Sequence, residues 1–187
     1  MAQRDSGYEK QPRNFYSTPA WVTHALVRVV KFSNVVWEPA SGAGDMARAL
    51  AAPGRQVLRS DIRPVADPSA KVMDFLTEPC PWPISADIVT NPPYGRRNAT
   101  AVKFIERSIE YARPRGTKIA MLLSVDFDSA SGRQHLFRDC PAFAGQIVLL
   151  NRIVWFGDGK SGRGPSANHA WFLWDWSTPQ VPRKFYA

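Results

Sequence analysis

Sulfur and imidazole are scarce in this chain. Its only cysteines are Cys80 and Cys140, and its only histidines are His24, His135 and His169. None stands at a spacing that pairs metal ligands, so no zinc site is expected and no metal is assigned. Acidic residues are also few: 16 Asp and Glu against 24 Lys and Arg give a formal charge of +8, with an isoelectric point near 9.9. A polyanion is the expected macromolecular partner, plain solubility being the other use of such a charge. No apolar run approaches the roughly 20 residues of a membrane-spanning helix. The first ten residues, Met1 to Lys10, are polar and unlike a secretory leader. The expectation is a protein of the reducing cytoplasm with no membrane partner. No internal repeat is visible.

What is present describes a single globular domain. The 187 residues are 44% hydrophobic and include 7 Trp, enough to bury a proper core, and 16 Pro imply many rigid loops. Residues 1–14 are polar and expected to be mobile. The domain is expected over 15–187. Asn14-Phe15-Tyr16-Ser17-Thr18-Pro19 leads into a helix beginning near Pro19, with Ser17 or Thr18 as its cap. Trp21, Ala25, Leu26 and Val29 recur at helical spacing. Phe15 and Tyr16 either staple the helix entry or form one wall of a small-molecule pocket.

Val35-Val36-Trp37 reads as a short buried strand, followed by Glu38-Pro39-Ala40-Ser41-Gly42-Ala43-Gly44-Asp45 and a helix over 46–51. Strand, glycine turn, helix is the geometry by which parallel α/β sheets bind nucleotides. Gly42 and Gly44 let backbone approach a ligand where a Cβ would clash. The third glycine of the dinucleotide fingerprint is missing, and Glu38 and Asp45 flank the turn. Negative charge there suits a cationic or hydroxyl-rich ligand, such as a sulfonium with an ammonium, better than a pyrophosphate. A second strand over 56–61 ends in Asp61, roughly 20 residues past the glycine turn, where an acid binds ribose hydroxyls. Its alternative is a helix cap. A third short element covers 72–76, where Asp74 and Phe75 either contact an adenine ring or serve the core.

A buried strand at 87–90 then breaks into Asn91-Pro92-Pro93-Tyr94-Gly95. Proline fixes φ and removes a donor, so the two prolines hold the loop open with carbonyls facing outward. The Asn91 oxygen can accept from an amino group while Tyr94 stacks on the ring that bears it. A strand-ending turn is the alternative. Arg96 and Arg97 follow, as phosphate contacts or as a solvated turn. A helix is expected over 101–113 and a near-continuous apolar strand over 118–124, as in a sheet covered on both faces. Residues 126–142 form an excursion with a short helix over 134–138. A strand at 146–150, extended toward 153–156, is followed by a basic glycine-rich loop with Lys160 and Arg163. The final strand, 169–175, must run antiparallel to its predecessor because no helix joins them. The sheet therefore reads as mostly parallel with one reversed edge.

Together, the glycine turn from Glu38 to Asp45, the acid Asp61, the pair Asp74-Phe75 and the loop Asn91-Pro92-Pro93-Tyr94 resemble a class I S-adenosylmethionine-dependent amino-methyltransferase. The order of these motifs and the reversed final strand are those of that family, over roughly residues 14–176. Phe15-Tyr16-Ser17-Thr18-Pro19 and His169-Ala170-Trp171-Phe172-Leu173-Trp174 look like segments of small phage- or prophage-type DNA adenine-N6 members. The resemblance implies an α/β fold: a single Rossmann-like, doubly wound, mostly parallel seven-stranded sheet with an antiparallel final strand.

It also implies S-adenosylmethionine as cofactor, held by Phe15, Tyr16, Thr18, Glu38, Pro39, Ala40, Gly42, Gly44, Asp45, Asp61, Ile62, Asp74, Phe75 and Asn91. The implied catalytic group is Asn91, Pro92, Pro93 and Tyr94. Substrate contacts are expected from Tyr94, Arg96, Arg97, Trp155, Phe156, Lys160 and Arg163, with Phe156 ahead of Trp155 as the second aromatic on a flipped base. The implied acceptor is the N6 amine of adenine, in DNA ahead of RNA. No room is left for a separate target-recognition domain, so 126–142 and 157–168 are the candidate readers. Methylation of a protein glutamine amide, whose enzymes share this loop, is the second reading. A non-catalytic cofactor- or nucleic-acid-binding module is the third. The oligomeric state stays open.

Overall fold

The computed structural model describes residues 17–64, 67–155, 167–178 and 181–187. Phe15, Tyr16, Phe156, Lys160, Arg163 and the segment 1–14 lie outside the described residues. Among the described residues, three α-helices and eight strands follow in this order: α1 (Ala20–Val29), β1 (Val35–Glu38), α2 (Asp45–Leu50), β2 (Gln56–Asp61), β3 (Lys71–Val72), β4 (Asp87–Thr90), α3 (Ala99–Ala112), β5 (Lys118–Ser124), β6 (Phe143–Val148), β7 (His169–Asp175) and β8 (Arg183–Tyr186). They form one sheet in the order β3-β2-β1-β4-β5-β7-β6-β8. β7 runs antiparallel to both its neighbours, and every other pairing is parallel.

The strand sequences divide the core by simple alternation, since successive side chains point to opposite faces. Trp37, Ile88, Ile119, Met121, Leu123, Phe172 and Trp174 pack on one face with Phe104 and Ile105 of α3. Val36, Val89, Ala120, Leu122, Trp171 and Leu173 pack on the other with Val22, Ala25 and Leu26 of α1. The three buried tryptophans each find an acceptor for the indole N–H. Trp37 donates to Ser60 Oγ (2.9 Å), Trp171 to the Val22 carbonyl (2.9 Å) and Trp174 to the Leu136 carbonyl (2.7 Å). This lets large rings fill the core without leaving a buried donor unpaired. At the lower rim Asp87 accepts from the Ser33 amide (2.6 Å) and the Lys118 amide (2.7 Å), fixing where β4 and β5 begin.

The fold class is the one expected, with an added strand and several shifted boundaries. β8 was not expected, and the reversed strand lies inside the sheet rather than at its edge. The reason is burial: all seven residues of β7 are buried, which requires a neighbour on either side, whereas all four of β8 are exposed. Basic Arg183 and Lys184 suit an edge that must not pair with another sheet. The element at 72–76 is a strand only over Lys71–Val72. β6 starts at Phe143 and stops at Val148, short of 153–156. The helix expected at 134–138 is replaced by two 3-10 turns, Phe127–Ser129 and Ser131–Leu136. α1 is preceded by Pro19 and has no side-chain cap. Ser17 and Thr18 are used elsewhere.

β8 depends on one glycine. Gly145 in β6 has φ +123°, and a Cβ there would lie 1.8 Å from the Arg183 carbonyl oxygen. A side chain at that position meets both a left-handed backbone costing about 1–3 kcal/mol and backbone that cannot yield. Gly145→Ala is expected to release β8 while leaving the central strands intact. Hydrogen exchange should then show the amides of 183–187 losing protection and those of β5 and β7 keeping theirs.

Candidate active site

The C-terminal ends of β1, β2 and β4 meet at one rim of the sheet, the place where open α/β sheets bind ligands. Glu38 ends β1 and is 2% exposed. Burial pushes its carboxyl well above the usual carboxylate range. The Ala47 amide opposes that shift, and the nearby charges of Asp61 and Asp45 reinforce it. Among the described residues no group hydrogen-bonds its Oε2. The turn that follows is closed by backbone: the Ser41 amide donates to the Ser60 carbonyl (3.0 Å) and the Gly44 amide to the Ser41 carbonyl (2.7 Å). Gly44 has φ +77°, and a Cβ on it would lie 2.8 Å from Asp67 Oδ2. That carboxylate is itself held by Arg59 at 3.1 Å. The glycine is required by both conformation and space.

Asp61 closes the same turn from β2. Its Oδ2 accepts from the Gly42 amide (2.8 Å) and its Oδ1 from the Arg63 amide (2.6 Å). Asp45, the first residue of α2, is bonded by the Ser17 hydroxyl and by Arg48. Glu38, Asp45 and Asp61 thus share one bowl, lined with glycine backbone and rimmed by exposed Ile62. A carboxylate retains acceptor capacity beyond one bond per oxygen, so Asp61 can still receive hydroxyl groups. Acids gathered at one turn favour a cation nearby.

Asn91 stands beside the bowl, at the end of β4. Its Nδ2 donates to the Thr18 hydroxyl at 3.1 Å, and Thr18 is 4% exposed. Pro92 is buried behind it. The Tyr94 hydroxyl reaches the Leu122 carbonyl at 3.4 Å, and burial holds its ionisation well above the usual tyrosine range. The Tyr94 carbonyl receives the amides of Thr100 (3.1 Å) and Ala101 (3.3 Å), tying the loop to the start of α3. Gly95 (φ +67°) packs on Thr100, and Arg97 and Asn98 both adopt positive φ. Left-handed backbone at non-glycine residues is the kind of strain that a functional loop retains. Arg96 and Arg97 are exposed at its tip.

Other expected residues fall further from the bowl's centre or serve the core. Asp74 Oδ1 accepts from the Leu76 amide (2.9 Å), and the Asp74 amide donates to Glu78. Phe75 is 3% exposed and stacks edge-on against Trp37 at 5.2 Å, which is the core alternative for that ring. Trp155 is half-buried and meets the His169 ring edge-on at 5.3 Å. His169 was not singled out from the sequence. It starts β7 opposite Ser124, at the same end of the sheet as Asn91, and among the described residues its Nδ1 has no partner. Burial lowers its pKa to about 4. A lone histidine carries no spacing signal, so only the packing could find it. A cleft of about 610 Å³ lies at the opposite rim, around Asp87, Lys118 and Phe185, where no glycine turn or Asn91 loop reaches.

No protein-family profile and no curated protein matches the chain. Solved structures do match. One is the modification subunit assigned to a type I restriction enzyme of Vibrio vulnificus YJ016, with TM-score 0.65 and 14% identity over 92% of this chain. Another is a protein of Listeria monocytogenes assigned as a class I S-adenosylmethionine-dependent methyltransferase, with TM-score 0.60 and 15% identity over 89%. A third is a type I restriction-modification methyltransferase subunit of Streptococcus thermophilus, with TM-score 0.58 and 13% identity over 86%. This chain spans 47%, 62% and 44% of those three structures' lengths, respectively. The fold is that of the class I methyltransferases.

Two buried groups set opposite pH limits on stability. His169 is held neutral, so the unfolded chain takes up its proton first as pH falls. Stability is lost between the ordinary histidine value of 6.5 and about 4, on the order of 3 kcal/mol in all. Glu38 has a raised pKa, so its contribution is present below the ordinary carboxylate value and is lost as pH rises through the folded one. His169→Gln is expected to flatten the acid limb of a Tm-against-pH curve, and Glu38→Gln to raise the Tm of the ligand-free protein at pH 8. Parallel curves for wild type and either variant would contradict that assignment.

Proposed function

We propose that the protein transfers the methyl group of S-adenosylmethionine to the N6 amine of adenine in nucleic acid, DNA ahead of RNA. The observation that carries this reading is the Asn91 amide, held by Thr18 beside the acidic glycine turn. S-adenosylmethionine supplies a methyl group on a cationic sulfur. The bowl fits it chemically: a buried carboxyl oxygen on Glu38 with no partner among the described residues, an acid at Asp61 for ribose hydroxyls, and glycines where close backbone approach is needed. Thr18, Pro39, Ala40, Gly42, Gly44, Asp45, Ile62 and Asp74 complete the contact set, with Phe75 supporting it from the core. Phe15 and Tyr16 belong to the same proposed set.

An adenine amine is a poor nucleophile because its lone pair is delocalised into the ring. Hydrogen bonds from that amine to Asn91 Oδ1 and the Pro92 carbonyl favour a pyramidal nitrogen and free the lone pair. Pro93 stiffens the loop that presents them. Holding the nitrogen in line with the methyl group supplies much of the remaining acceleration. A duplex base must be flipped out first, at a cost of a few kcal/mol. Tyr94, anchored by its hydroxyl to β5, offers a ring for that base to stack on, with Trp155 or Phe156 opposite. Arg96, Arg97, Lys160 and Arg163 suit phosphates. Two of the similar structures are subunits of restriction-modification systems, which favours DNA.

The direct experiment offers tritiated S-adenosylmethionine with duplex DNA, single-stranded DNA, RNA and a protein extract in parallel, then identifies the labelled nucleoside. Label in N6-methyladenine supports the proposal, and label confined to protein promotes glutamine methylation in its place. Asn91→Ala is expected to reduce transfer at least about 100-fold while cofactor binding persists. Unchanged turnover would remove Asn91 from the mechanism. Charge reversal at Arg96 and Arg97 together is expected to weaken nucleic-acid binding and lower its logarithmic salt slope by about two. An unaltered slope would mean that neither residue contacts phosphate.

A further inference from the structure

We infer that the edge strand β8 is a second contact on the nucleic acid, holding its sugar–phosphate backbone away from the base that is methylated. The inference rests on nucleic acid being the acceptor, as proposed above. Phosphate and sugar contacts fix the register of a protein on its substrate without reading sequence. A base flipped at one point needs the strand beside it held.

The composition of the edge carries the inference. Tyr186 is 63% exposed, Leu150 69% and Val181 78%. The Leu150 amide donates to the Ala187 carbonyl (2.8 Å), so the chain after β6 lies beside the end of β8. Segments 143–155 and 176–187 contain Arg152, Arg183 and Lys184 and no acid. Asp128 lies within reach of the Lys184 charge, and Gln146 Nε2 already donates to it at 2.6 Å. Along β8 the side chains alternate, Arg183 with Phe185 on one face of the sheet and Lys184 with Tyr186 on the other. Basic and aromatic groups interleaved on an exposed strand suit a chain of phosphates joined by apolar sugars and bases. A second copy suits it poorly, because it would bring the same basic edge and another +8 of charge.

The register of the sheet puts this edge at the catalytic rim. Tyr186 pairs with Val148, Val148 with Ala170, and Ala170 with Leu123. Thr90 pairs with Met121, two residues before Leu123, so the Asn91 loop leaves β4 at the level of Tyr186. Four strand spacings of about 4.8 Å separate the two, about 19 Å in all, or roughly half of a duplex turn of about 34 Å. One nucleic-acid chain crossing the rim can therefore meet both the Asn91 loop and β8.

The test measures binding of fluorescein-labelled duplex and single-stranded DNA by anisotropy over a range of salt. Arg183→Gln with Lys184→Gln is expected to lower the logarithmic salt slope by about two. Arg28→Gln with Lys31→Gln removes the same charge from the far end of α1, at the opposite rim, and should leave the slope at its wild-type value. Tyr186→Ser should weaken binding about tenfold, and Tyr186→Phe, which keeps the ring, should stay within about twofold. Gly145→Ala changes no charge and is expected to release β8, so it should weaken binding as well. The Kd for S-adenosylhomocysteine should stay at its wild-type value in the variants of Arg183, Lys184 and Tyr186.

Wild-type slope and affinity in the β8 variants would overturn the inference. So would a control pair that lowers the slope as far as the β8 pair, because the effect would then be one of total charge. A change of oligomeric state by light scattering, with DNA binding intact, would make the edge a contact between copies instead. Binding that is lost on charge reversal at Arg96 and Arg97 but kept in the β8 variants would leave the proposed substrate standing and remove β8 alone. A wild type that binds no nucleic acid, DNA or RNA, would remove both.

Discussion

Ile119, Met121 and Leu123 project from one face of β5 and Ala120 and Leu122 from the other, and neither face meets water. A strand buried on both sides needs hydrogen-bonded neighbours and a covering layer above and below. β4 and β7 are those neighbours, and α1 and α3 are part of those layers. Apolar burial of this kind is the dominant stabilising force in a domain of this size. It also dictates where polar chemistry can go. With both faces closed, the loops at the strand ends are where catalytic side chains can stand. The parallel strands β1, β2 and β4 bring three such loops to one rim.

That rim concentrates like charge in a protein whose overall charge is opposite. Burial opposes the ionisation of Glu38, and the charges of Asp61 and Asp45 add to that cost. The arrangement persists because each acid is otherwise employed: Asp61 binds two amides, Asp45 binds Ser17 and Arg48, and Glu38 meets the Ala47 amide. A cation placed there would offset these acids, as the proposed function requires. Outside it, the excess of Lys and Arg favours a polyanion. The two preferences are compatible only because they are spatially separated, one in the turn and the other on exposed positions such as Arg96 and Arg97.

The strands β4, β5 and β7 were legible in the sequence to the residue, because largely apolar runs bounded by polar or turn residues leave little freedom, and β2 was legible from its place between the glycine turn and Asp61. The glycine turn and the Asn91 loop were legible as well, since glycine and proline constrain the backbone directly. Phe75 was ambiguous. A ring beside an acid at a strand end looks alike whether it meets a ligand or packs on Trp37 and Phe104. β8 was missed because Arg183-Lys184-Phe185-Tyr186 carries no inward-facing alternation, and its pairing depends on Gly145 in a distant strand. His169 was missed for a related reason, since Trp155 and Ser124, which stand against it, lie away from it in the sequence.

The sequence by itself determined the α/β class, the parallel direction of the early strands and the place of the two loops proposed to carry the chemistry. Each of these follows from local constraints: apolar periodicity, fixed φ at proline and free φ at glycine. The tertiary structure decided the employment of side chains with several possible partners. Ser17 and Thr18 have the composition of a helix cap, yet they bond Asp45 and Asn91 instead. A hydroxyl takes whichever partner the packing of other elements brings within reach, and no local rule in the chain encodes that distance.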